Sequence, residues 1–71
     1  MRTREEHLEW SKAEARKYLA CGDLQNAVTS MGSDMDKHPE CKMNRYLLLL
    51  GGLHAQNLDA HAVRLWIEGF R

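Results

Sequence analysis

The side chains in this sequence that are able to do chemistry are two cysteines and four histidines. His38 and Cys41 form an H-x-x-C pair, a spacing at which zinc sites place two of their ligands. A structural zinc site needs four ligands, usually in two such pairs, and His54 and His61 form no second pair with a cysteine. We therefore predict no metal ion and no cofactor. His38 is interpreted as a helix-end residue that the helix dipole favours.

A catalytic thiol requires a histidine base beside it, and neither Cys21 nor Cys41 lies in a motif that provides one. Gly51 and Gly52 fall inside an apolar segment rather than after a strand, so they do not form a phosphate-binding loop. The prediction is a protein that is not an enzyme and has no catalytic residues. Two cysteines are too few for a disulfide scaffold, which predicts reduced thiols inside the cell.

Ten basic and ten acidic side chains give the 71 residues a formal net charge of zero. This balance argues against a nucleic-acid partner held by charge. A nucleic-acid-associated regulator remains an alternative, because basic residues concentrate in the first segment. The first residues are too polar for a signal peptide, and the longest apolar run, residues 47–50, is far shorter than the roughly 20 residues that span a membrane. We expect one cytoplasmic domain over residues 1–71 with no membrane segment.

The elements that must position these side chains are all helical. Thr3 followed by Glu6 is a capping-box pattern, Gly22 suits a helix end, Asp23 and Asp59 suit helix starts, and Pro39 stops a helix. The predicted helices span residues 4–20, 24–37, 43–56 and 60–69. The predicted fold is all-α, with four short antiparallel helices in two hairpins, at about residues 3–38 and 43–70.

Apolar spacing predicts which side of each helix is buried. On the first helix we expect Leu8 and Tyr18 in the buried stripe and Lys12 away from it. The third helix carries four successive leucines, which cover most of its circumference, so we expect it to be central or partly covered by another subunit. The second and fourth helices have buried stripes of Leu24, Ala27, Val28, Met31 and Met35, and of Val63, Trp66, Ile67 and Phe70.

An offset of 36 residues aligns the two hairpins: Asp23 meets Asp59, Ala27 meets Val63, and other core positions follow. Two unrelated hairpins of similar length are the alternative. The first hairpin resembles a tetratricopeptide (TPR) unit, and the second is a weaker copy. The residues that carry the resemblance are Ala15, Tyr18, Gly22, Asp23, Ala27, Met31 and Pro39.

This sequence departs from the TPR pattern at three places. Ser11 stands where an aromatic residue is expected, with Trp10 beside it. Asp34 replaces a small residue, and the second unit has no glycine in its turn. The resemblance therefore implies TPR-like hairpins more than a functional TPR array, which usually needs three or more units.

The whole chain, from EEHLEWSKAEARKYLACGDLQNAVTSMGSDMDKHPE to the closing WIEGF, is similar to small proteins encoded by tailed bacteriophages and prophages. This resemblance implies a protein that docks on a host or phage protein in the cytoplasm of the host cell. Inhibition of a host system is a special case of such docking.

The function predicted is therefore a small protein-binding module, with a homo-oligomeric accessory protein as an alternative. The partner is expected to be another protein, and a homodimer is the second choice. Trp10 and Leu65 lie off the main apolar stripes of their helices, and tryptophan is common at the centre of interfaces. The predicted partner-binding residues are Trp10, Glu14, Arg16, Lys17, Tyr18 and Leu65.

Overall fold

A computed structural model describes residues 3–71 of the chain, and within that range it contains four α-helices and no strand. The helices are α1 (Arg4–Ala20), α2 (Leu24–Met35), α3 (Arg45–Gln56) and α4 (Ala60–Glu68). The predicted all-α fold is confirmed, and every helix begins within two residues of its predicted start. The likeness of the hairpins to TPR units stays a prediction.

Local capping residues set the helix starts. Thr3 and Glu6 form the complete capping box at α1, since each side chain accepts a hydrogen bond from the other residue's backbone N–H. Asp23 and Asp59 cap α2 and α4 by accepting from the backbone N–H three residues later. Asn44 caps α3 in the same manner through the N–H of Tyr46, which explains why α3 begins later than predicted.

Helix α2 is shorter than predicted and ends at Met35 rather than at Lys37. Pro39 disfavours a helical conformation for His38, and the chain between these helices closes into turns. The backbone N–H of Lys37 donates to the carbonyl of Asp34, and that of His38 donates to the carbonyl of Met35. These hydrogen bonds join residues three positions apart, and they replace the last α-helical turn that the apolar periodicity predicted.

Helices α2 and α4 form the centre of the molecule, because each packs against the other three. Helices α1 and α3 both rest on this central pair, and within residues 3–71 they do not contact one another. The expectation that α3 is central is therefore wrong. Its alternative, that the leucines of α3 are covered by another subunit, stays a prediction.

The core confirms the stripes predicted for α2 and α4. Met31, Val63 and Ile67 are fully buried, and the remaining predicted residues of both helices are buried or partly buried. The prediction for α1 is partly wrong: Lys12 is buried, whereas Tyr18 is 40% exposed. The reason is that the buried side of α1 carries polar residues, which an apolar pattern cannot reveal. Its buried residues are His7, Leu8, Ser11, Lys12 and Ala15.

The turns at the centre of the two hairpins share two backbone hydrogen bonds at an offset of 36 residues. They differ in a third, since the N–H of Cys21 donates to the carbonyl three residues back and that of Asn57 to the carbonyl four residues back. The N–H of Asp23 donates to the carbonyl of Tyr18 over 2.9 Å, and the N–H of Asp59 donates to that of His54 over 3.0 Å. The residue before each aspartate is left-handed: φ is 76° at Gly22 and 56° at Leu58. The predicted second turn therefore forms without its glycine.

Candidate functional site

Three of the predicted partner-binding residues line one groove. Trp10, Glu14 and Tyr18 follow one another at four-residue intervals along α1, which places them on the same side of the helix. They face α2 across an open groove of about 440 Å³. The α2 side and its end contribute mostly hydroxyl, amide and charged groups: Asn26, Thr29, Ser30, Ser33, Asp34 and Lys37.

The indole of Trp10 is held at one end of this groove. Its ring centroid lies 5.5 Å from that of the buried His7, and the ammonium of Lys37 lies 5.6 Å from the indole centroid. The Nε2 of His7 is 2.5 Å from the backbone carbonyl of Asp34, which ties α1 to the end of α2. Trp10 is thus a half-buried and oriented aromatic side chain.

The other end of the groove is polar and more open. Tyr18 is 40% exposed, and Glu14 pairs with Lys17 over 3.2 Å. Lys17 therefore lies next to the groove through Glu14, although it is not part of its lining. A groove with an aromatic residue at each end and hydrogen-bonding groups between them can hold an extended polar peptide segment.

Arg16 lies outside the groove and faces α4. Its guanidinium contacts both carboxylate oxygens of Glu68, with a shortest distance of 2.6 Å. The buried Lys12 donates to the backbone carbonyl of the same Glu68 over 3.4 Å. The hydrogen bond from Arg16 lowers the pKa of Glu68, and it raises the pKa of Arg16 in turn. Arg16 thus holds α1 on α4, and a contact between it and a partner stays a prediction.

Replacing Glu68 by Gln is expected to lower the free energy of unfolding at pH 7 by about 0.5 kcal/mol, because both side chains are 44% exposed and water screens the pair. Since folding lowers the pKa of Glu68, the pair stabilises the fold above the carboxyl's unfolded pKa of about 4.3. That stability is lost as the pH falls through the lower pKa of the folded state. In urea titrations, the free energies of unfolding of the two proteins should become equal in acid. A difference at about pH 2 as large as that at pH 7 contradicts the argument.

A second surface, which the sequence indicated less directly, lies on α3. Apolar residues at i, i+3, i+4 and i+7 form a stripe with exposures of 81%, 61%, 45% and 54%. We call this stripe the leucine surface, and it consists of Tyr46, Leu49, Leu50 and Leu53. The side of α3 that packs inward is small instead, with Gly51 and Ala55 buried. The signal in the sequence was the run of four leucines.

Leu65, the remaining predicted partner-binding residue, is on α4 and is 60% exposed. It is not among the residues that line the groove with Trp10. The six predicted residues are thus divided among the groove, its edge, the α1–α4 contact and a separate position on α4. Their roles in binding a partner stay predictions.

The histidines and cysteines do not assemble into a candidate metal site. Within residues 3–71, no group of three or more potential ligands from His, Cys, Asp and Glu is close enough to hold a metal ion. His38 is buried, and its Nδ1 accepts from the N–H of Glu40 over 3.1 Å. Its ring centroid is 5.3 Å from that of His7. These contacts give His38 a structural role at the end of α2.

The two thiols differ in environment. Cys41 is buried with its Sγ 3.6 Å from the carbonyl of Arg4, and burial raises the pKa of this thiol. Cys21 is exposed at the end of α1. We expect iodoacetamide to modify Cys21 readily and Cys41 only after urea is added, because a buried neutral thiol is a poor nucleophile. Peptide mapping by mass spectrometry measures this, and equal labelling of the two in the native protein contradicts it.

A search of the described helices for one long and apolar enough to cross a membrane finds none. Comparisons of the chain with family models, with curated proteins and with solved structures give no match.

Proposed function

We propose that the protein is a small, non-enzymatic protein-binding module whose α1–α2 groove holds a segment of another protein. The observation that supports this function is the convergence of Trp10, Glu14 and Tyr18 on one groove. Partly exposed tryptophan and tyrosine side chains are frequent centres of binding energy in interfaces. The partner is a host or phage protein, and the site of action is the cytoplasm of the host cell, as the resemblance to small phage proteins implies.

The lining of the groove favours a polar peptide as the bound segment. The hydroxyl groups of Thr29 and Ser33 can pair with a peptide backbone, and the indole of Trp10 offers an apolar contact. The Ser30 hydroxyl and the Asn26 amide donate to Asp34 and Asp23 within the molecule and keep oxygen atoms that can accept. Glu14, Asp34 and Lys37 provide charges of both signs, and Lys37 is paired with Asp34 over 3.1 Å. A segment with both apolar and charged side chains matches this lining better than a uniformly charged polymer.

A nucleic-acid partner has less support. The basic residues of α1 are engaged within the molecule, since Lys12 and Arg16 contact Glu68 and Lys17 contacts Glu14. The charges of Arg16 and Lys17 are therefore offset by ion pairs, and Lys12 is buried against a backbone carbonyl. The net charge of the chain is also zero. The alternative of a homo-oligomeric accessory protein is favoured by a different observation, the exposed leucine surface.

The experiment is affinity capture from infected or lysogenic cells, identification of the captured protein by mass spectrometry, and titration calorimetry with that protein in purified form. Trp10→Ala and Tyr18→Ala should each weaken binding by about 30-fold, the effect of removing an interface hot spot. Gln25→Ala, an exposed change on α2 outside the groove, is the control and should bind as the original does. Circular dichroism checks that the variants are folded. Unchanged affinity in both aromatic variants overturns the role of the groove.

A further inference from the structure

The leucine surface on α3 is an apolar stripe without any charged group. Within Arg45–Gln56 there is no acidic residue, and the one Arg is at the first position, before the stripe begins. Tyr46 and Leu49 are more than half exposed, as is Leu53 at the far end. Exposed apolar stripes of this kind mark contact surfaces, because their hydration is unfavourable.

The size of this surface matches one side of a small protein interface. With about 120 Å² for a leucine side chain and about 200 Å² for a tyrosine, the exposed fractions amount to roughly 350 Å² of apolar area in one copy. Two copies bury roughly 700 Å² of apolar area together. Since apolar atoms make up about 65% of a homodimer interface, the total area is roughly 1,100 Å², which is typical of a weak and reversible complex.

We propose that the occupant of the leucine surface is a second copy of this chain, bound as an antiparallel pair of α3 helices. The inference is separate from the proposed function, because the groove that holds the partner segment has no residue in common with the leucine surface. A surface without charges is complementary to itself, whereas a partner with charged groups would have to bury them unpaired against it. The zero net charge of the chain also removes long-range repulsion between copies.

The antiparallel orientation follows from the ends of α3. A two-fold axis between Leu49 and Leu50 places Tyr46 of one copy opposite Leu53 of the other. Arg45, at the first position of α3, then approaches the carboxyl end of the second copy's helix, where the helix dipole favours a cation. A parallel pair would place the two arginines together at the same end.

The first test is sedimentation equilibrium of the full chain between about 1 µM and 1 mM, the range in which a weak dimer dissociates. The original protein should be a dimer at the upper end and a monomer at the lower end. Leu49→Glu should weaken dimerisation at least 30-fold. Gln25→Glu is the control, because it adds the same charge at an exposed position of α2 outside the leucine surface, and it should dimerise as the wild type does. Leu49→Gln provides the same test without charge if Leu49→Glu is poorly folded by circular dichroism.

The second test addresses orientation in a Cys21→Ser background. Tyr46→Cys and Leu53→Cys proteins should form a mixed disulfide with one another on mild oxidation, and each alone should remain largely unlinked. Self-linking of Tyr46→Cys alone overturns the antiparallel pair.

A protein that is monomeric throughout the concentration range overturns the dimer, as does a dimer that Leu49→Glu leaves intact. Neither result affects the proposed function, which depends on Trp10 and Tyr18. Conversely, loss of partner binding in the groove variants leaves the sedimentation result unchanged.

Discussion

Gly51→Ala is expected to lower the free energy of unfolding by about 2 kcal/mol, whereas Gly52→Ala, one residue further, is expected to raise it by about 0.5–1 kcal/mol. A Cβ atom on Gly51 would lie 2.6 Å from Cε2 and Cζ2 of the Trp66 ring. A Cβ atom on Gly52 would meet no atom within 4 Å apart from its chain neighbours and the nearby backbone of its own helix. The two changes therefore share the same gain in helix propensity and differ only in packing.

The ring of Trp66 cannot easily move away from a new methyl group. Its Nε1 donates to the carbonyl of Leu47 over 2.8 Å, and Phe70 meets the ring edge to face at a centroid distance of 5.0 Å. A shift of the ring would break the hydrogen bond that joins α4 to α3. The cost of overpacking thus exceeds the propensity gain of about 1 kcal/mol.

Urea unfolding followed by circular dichroism measures the free energy of unfolding of both variants. In a Trp10→Phe background, the fluorescence of Trp66 reports on the environment of its ring. About 2 kcal/mol is a substantial part of the roughly 4–10 kcal/mol that a domain of 71 residues has. If Gly51→Ala and Gly52→Ala shift the urea midpoint equally and in the same direction, the close contact between α3 and Trp66 is not present in solution.

This contact also explains what the sequence could and could not predict about α3. Caps such as Asp23 and Asp59 act through hydrogen bonds to residues three positions away, so the sequence predicted them directly. The position of α3 in the fold depends instead on residues that are distant in the sequence. The ring of Trp66 packs on Gly51 and fills the space on the side of α3 that faces the core. The leucines are left outside, and their number alone suggested a central helix.

The groove shows the same distinction between local and distant information. The spacing of Trp10, Glu14 and Tyr18 on α1 was visible in the sequence, and it put them on one side of a helix. The sequence did not show that Ser30 and Ser33 of α2 lie opposite these residues. Their position depends on which side of α1 faces the core. That side carries polar residues, which no apolar pattern reveals.

Leu58→Gly is expected to raise the free energy of unfolding by about 0.5–1 kcal/mol, and Gly22→Leu is expected to lower it by a similar amount. Leu58 has a φ of 56° and its side chain is 82% exposed, so it makes little apolar contact in compensation for a left-handed backbone. The left-handed conformation is unfavourable by about 1–2 kcal/mol for a residue with a side chain. Part of this gain in stability is lost because glycine increases the conformational entropy of the unfolded chain.

The double exchange, Gly22→Leu with Leu58→Gly, is the sharper measurement. The left-handed residue and the aspartate after it donate the same backbone hydrogen bonds in both turns, and a Cβ on Gly22 meets no atom within 4 Å apart from its chain neighbours. If the turns are energetically equivalent, the gain at one cancels the loss at the other, and the exchanged protein unfolds at the urea concentration of the original. A double variant that differs from the original by more than about 0.5 kcal/mol, the usual limit of additivity for distant sites, shows that the turns are not equivalent. The two hairpins would then share a backbone conformation, but the same residue would contribute differently to the free energy of unfolding in each turn.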